Sequence, residues 1–122
     1  MTYTYNPENI FAKILTGEIP NKTVLETEHS LAFRDIYPQA PVHVLVIPKG
    51  SYVNYDHFVK SASDAEILDF NRTIGVVCER EGLEAGGFRL ISNAGVEGVQ
   101  EVPHMHVHIL AGRSLGRMLA KG

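Results

Sequence analysis

Residues 103–110, Pro-His-Met-His-Val-His-Ile-Leu, constrain this chain more than any other stretch. Imidazoles at 104, 106 and 108 alternate with Met105, Val107 and Ile109, the period-two pattern of a half-buried β-strand. In a strand, His104, His106 and His108 turn to one face; in a helix the same spacing would scatter them around the circumference. Pro103 suits a strand's first residue and Gly112 stands where the run gives out, so the element is bracketed. The spacing predicts a strand with three converging histidines at the chemical edge of a small enzyme.

With 122 residues, 44% of them hydrophobic, residues 1–122 suit one domain with a real core and leave no room for a second. A net charge of −3 and the lack of a basic run argue against polymeric nucleic acid as a partner held through its phosphates. A small phosphate ester is compatible with both. No signal-peptide pattern and no apolar run of membrane-spanning length is present, which predicts a cytoplasmic protein with no membrane partner. Cys78 has no second cysteine to pair with, in keeping with a reducing compartment.

The surrounding elements follow from local signals. Asn6 as N-cap and Pro7 at the first helical position predict a helix start, with Ile10, Phe11, Ile14 and Leu15 as its apolar stripe and Gly17 and Pro20 as its stop. Extended segments are predicted at 23–26 and 30–34, turned by Glu28 and His29. The constrained loop 35–41, with Pro38 and Pro41, feeds a central strand over 43–48. Ser63-Asp64-Ala65-Glu66 is a capping box before a long helix carrying Ile67, Phe70, Ile74, Val77 and Cys78 up to Gly82. Gly86-Gly87 then turns into a strand over 88–92, and the glycine-containing loop 93–100 leads to the histidines. Such an order predicts an α+β fold, an antiparallel sheet covered on one face.

Two chemistries compete for the histidines. Zinc takes two imidazoles from a His-x-His strand readily. Same-face residues stand about 6.6 Å apart, however, so the outer pair lies about 13 Å apart and one ion would need a further ligand, Glu101 being the nearby carboxylate. The alternative is covalent catalysis, in which a neutral imidazole, with an ordinary pKa of about 6.5, attacks phosphorus. His106, flanked by imidazoles on both sides, is the candidate nucleophile, and no metal or other cofactor is expected. Neither GxxxxGK[ST] nor GxGxxG occurs, so a phosphate would be held by imidazoles, by backbone N–H groups of residues 95–100, and by Asn93. Ile10, Phe11 and Ile14 read equally well as plain core, and Asp35 as a turn residue.

Taken together, these motifs resemble the histidine triad family. Residues 103–110 match its His-x-His-x-His signature, and residues 35–49, Asp-Ile-Tyr-Pro-Gln-Ala-Pro-Val-His-Val-Leu-Val-Ile-Pro-Lys, look like its other one. Residues 10–14 with 18–20 look like its amino-terminal segment, so the likeness runs from about residue 9 to 113. It is closest to the small nucleotide-binding, protein kinase C inhibitor-like branch. That resemblance implies a five-stranded antiparallel sheet with two helices, in a homodimer that hydrolyses purine nucleoside phosphoramidates through a nucleotidyl-histidine, with a purine nucleotide such as AMP or GMP as ligand. It implies His106 as nucleophile, His108 on a phosphate oxygen, and His104 orienting the nucleophile within a relay that includes His43. Asp35 would bond the ribose hydroxyls with Ile36 beside it, and Asn93 would lie near ribose and phosphate. Val99, Gln100 and Glu101 would border the phosphate, and Ile10, Phe11, Ile14, Ile19 and Phe33 would enclose the purine. Where relatives in this branch often carry serine or threonine, this chain has Glu101. A non-catalytic nucleotide-binding module and a zinc-binding protein are the alternatives.

Overall fold

The computed structural model describes residues 2–120. Eight elements follow one another: α1 (Ile10–Leu15), β1 (Thr23–Glu26), β2 (Ser30–Arg34), β3 (Val42–Pro48), α2 (Tyr55–Ser61), α3 (Asp64–Arg80), β4 (Arg89–Ile91) and β5 (Val107–Ala111). The strands form one sheet in the order β1-β2-β3-β5-β4, and every neighbouring pair is antiparallel. The α+β class and the five-stranded sheet are as expected. The helix number is three rather than two. No helix among the described residues is long and apolar enough to cross a membrane.

Strand alternation divides the core in two. Ala32, Val44, Val46, Val107, Ile109 and Ala111 pack with Phe70, Ile74, Val77 and Cys78 of α3 and Phe58 of α2. On the opposite face Leu31, Phe33, Leu45 and Ile47 pack with Phe11 of α1. The sheet is therefore covered on both faces, not one, because α1 carries enough apolar surface to seat Phe11 against β2 and β3. Since β3 and β5 run antiparallel with Leu45 opposite His108 and His43 opposite Leu110, His43 and His108 share the α1 face.

Helix starts explain two departures from expectation. Asn6 does not cap α1: its side-chain oxygen accepts from the Glu8 N–H at 3.0 Å, closing a turn, and Asn9 takes the cap by accepting from Ala12 N–H at 2.9 Å. The unforeseen α2 is capped by Asn54, which accepts from His57 N–H, and it buries a single apolar side chain, Phe58. By contrast α3 begins as expected, with Ser63 accepting from Glu66 N–H at 3.1 Å while the Glu66 carboxylate accepts from Ser63 N–H. Removing that cap with Ser63→Ala should lower stability by about 1 kcal/mol, read as a reduced urea midpoint at unchanged slope.

Candidate active site

Between α1, β2, the 35–39 loop and the 93–102 segment lies a cavity of about 310 Å³. Its apolar wall consists of Ile10, Phe11, Ile14, Ile19 and Phe33, with Leu45 of β3 behind them. Its polar end carries Asp35, Asn93, Glu101, His106 and His108. Ile36 and Val99 also line it, and both remain largely exposed. The Phe11 ring stands edge-on to His106 with centroids 4.9 Å apart, so the apolar wall meets the histidines directly. Val99 has a φ of 54°, a left-handed conformation that a β-branched residue enters only under strain.

Hydrogen-bond partners assign each imidazole its proton. The His104 carbonyl can only accept, so His106 Nδ1, 2.7 Å away, carries the hydrogen and donates it. His106 Nε2 is left with a free lone pair. Gln39 backbone N–H donates to His43 Nδ1 at 3.1 Å, which places the proton of neutral His43 on Nε2. That Nε2–H lies 2.9 Å from His108 Nδ1 and donates to it, while an Asp35 carboxylate oxygen stands 3.3 Å from the same nitrogen. His108 Nδ1 is thus an acceptor, and its own hydrogen sits on Nε2. The two cavity-lining rings therefore offer opposite functions, a lone pair at His106 and an N–H at His108.

Burial keeps the set uncharged. Desolvation holds His104 and His108 down at about 4, with repulsion from His106 acting on both in the same direction. It also lowers His106, against the pull of the His104 carbonyl bond and of the Asp35 and Glu101 carboxylates. His43 is lowered by burial in spite of Asp35. All four are neutral near pH 7, the state in which an imidazole is nucleophilic.

A family model described as the HIT domain matches residues 16–115. The chain belongs to the HIT family. It is 43% identical over 114 residues to the purine nucleoside phosphoramidase of Escherichia coli, covering 93% of this chain and 94% of that one. The 14 kDa zinc-binding protein of Brassica juncea is 42% identical over 109 residues, covering 88% and 96%. Among solved structures, a histidine triad protein from Clostridium difficile superposes with a TM-score of 0.82 at 38% identity, covering 95% of this chain and all of that one.

Within this HIT protein three of the expected site residues sit elsewhere. The strand anticipated from Pro103 starts only at Val107. Upstream of it Met105 N–H donates to the Tyr52 carbonyl and His104 Nε2–H donates to the Pro48 carbonyl, which pulls these residues off the ladder. The His104 ring is consequently fully buried outside the cavity, with Tyr5 hydroxyl donating to its Nδ1 at 2.6 Å; only its backbone carbonyl meets His106. His43 lies behind His108 and reaches the cavity through that ring. Gln100 does not line the cavity: its amide donates to the Val53 and Val102 carbonyls and accepts from Gly95 N–H, bracing the loop. The other twelve expected residues line it. Gln39 and Tyr5 escaped sequence reading because one acts through a main-chain N–H and the other is distant along the chain.

Asp35, His43 and His108 bring three ligand atoms within 4.8 Å of one another, the clustering of a cation site. A cation would need the lone pair of His43 Nε2, which moves that ring's proton to Nδ1. There it would confront the Gln39 N–H, donor against donor. With that hydrogen-bond pattern the three residues do not fit a resident metal.

Proposed function

We propose that this HIT protein hydrolyses purine nucleoside phosphoramidates through a nucleotidylated His106. The observation that carries the reading is the pairing of a lone pair on His106 with an N–H on His108 at the polar end of a cavity whose other wall is apolar. The base occupies the wall of Ile10, Phe11, Ile14, Ile19 and Phe33, and the Asp35 carboxylate accepts from the ribose hydroxyls, with Ile36 alongside. Asn93, Val99 and Glu101 border the phosphate. His106 Nε2 attacks the α-phosphorus while His108 Nε2–H binds a non-bridging oxygen; the P–N bond breaks and the amine departs with a proton taken up from solvent. Water then attacks the same phosphorus, the His106–P bond breaks, and the nucleoside monophosphate is released. A volume of about 310 Å³ falls at the lower end of small-molecule sites, in keeping with a mononucleotide.

A homodimer forms part of this reading. β4 is a three-residue edge strand whose Leu90 is half exposed, with Phe88 just before it, an edge suited to covering by a second copy.

Rapid mixing of the protein with an equimolar adenosine phosphoramidate, followed by quenching and intact-mass measurement, is expected to show one adenylyl group on His106 that decays as AMP appears. A nucleotide-binding module without chemistry would bind AMP and show no adduct with any phosphoramidate, acyl adenylate or dinucleoside polyphosphate.

A further inference from the structure

The charges around the polar end of the cavity do not balance. Its lining includes two carboxylates, Asp35 and Glu101, and one cation, Arg34. Arg34 is already committed, with its guanidinium forked onto the Glu81 carboxylate at 2.8 and 3.0 Å. Asp35 is committed as well, one oxygen accepting from the Tyr37 N–H and the other standing 3.3 Å from His43 Nε2. Glu101 differs from these. Its side chain makes neither an ion pair nor a hydrogen bond among the described residues, yet it lines the same cavity as His106 and is exposed. With the histidines neutral, a free carboxylate stands beside the nucleophile with no cation to offset it.

We infer that Glu101 is a specificity-determining residue that selects a positively charged leaving group, so that the preferred substrates are nucleoside phosphoramidates of diamines or polyamines. The inference rests on the reading of His106 as the nucleophile and adds the class of amine. A second, protonated nitrogen on the departing amine is attracted by the Glu101 carboxylate; a polyphosphate leaving group, with several negative charges, is repelled by it. The bonds exchanged are those of the parent reaction. P–N gives way to P–N(His106), the amine nitrogen takes up one proton from solvent and leaves with its terminal ammonium as the one charge, gaining its second proton in bulk water, and water then replaces His106 on phosphorus.

The test compares adenosine 5′-phosphoramidates of 1,3-diaminopropane and of propylamine, which differ in one terminal ammonium, by kcat/KM. The diamine substrate is expected to be favoured by about tenfold at low salt, a ratio that shrinks as salt screens the exposed pair. Glu101→Gln should bring the ratio close to one and raise turnover of a dinucleoside tetraphosphate several-fold, while Glu101→Asp keeps the preference. Glu97→Gln, which removes an exposed carboxylate of the neighbouring loop outside the cavity lining, should leave the ratio as it was. An unchanged ratio in Glu101→Gln, with both substrates still turned over, overturns the assignment. Absence of any adduct or turnover with either substrate would overturn the underlying reading of His106 together with it.

Discussion

Replacing His106 with alanine is expected to lower phosphoramidate turnover by about 10⁴-fold or more, because the variant lacks the lone pair that the proposed mechanism uses as nucleophile. AMP affinity should change little, since the apolar wall and Asp35 are untouched, and titration calorimetry separates the two effects. His108→Gln is expected to cost less, about 10²- to 10³-fold, as it removes one oxyanion donor and leaves the nucleophile in place. Rates in the His106 variant that match the parent would end the covalent mechanism. A loss of AMP binding equal to the loss of rate would instead reduce His106 to a ligand contact.

Stability should fall steeply on mild acidification. In the unfolded chain a histidine takes up a proton near pH 6.5, whereas folded His104 resists it until about 4. Below pH 6.5 the unfolded state therefore binds more protons, so the stability present above 6.5 is lost progressively as pH drops toward 4. For fully buried His104 alone the full window corresponds to ~3 kcal/mol, and His106, His108 and His43, all lowered, act in the same direction. Urea unfolding at pH 7.5 and pH 5 should show this difference, and His104→Gln should flatten it. A midpoint that does not move between those pH values would contradict the buried neutral cluster. In the folded protein the acid limb of kcat/KM for the proposed reaction should lie below pH 6.5, where His106 becomes protonated.

Much of this architecture was legible from periodicity and capping. The Ser63 box, the apolar spacing from Ile67 to Cys78 and the near-continuous run over 43–48 announce α3 and β3, because each buries a long apolar stripe. α2 stayed hidden because seven residues with one core side chain, Phe58, produce no periodic signal. At the first helix Asn6-Pro7 imitates a cap, and only the buried position of Asn9 decides the matter. The alternation of His104, His106 and His108 pointed to the right chemistry but overstated the strand. Carbonyls of Pro48 and Tyr52, distant in sequence, capture residues 104 and 105 and turn the first ring out of the cavity. Nothing in the sequence pattern betrays a valine in a left-handed conformation, or a main-chain donor such as that of Gln39.

That last group has an evolutionary corollary. A peptide N–H neither titrates nor swings through rotamers, so the orientation of the hydrogen bonds running from residue 39 to His43 and on to His108 is independent of the side chain at 39. Nineteen of the twenty residue types supply the same donor, and proline alone would silence it. The polarity of the histidine wire is thus anchored to the main chain at position 39, whatever the Gln39 side chain contributes to the cavity it lines.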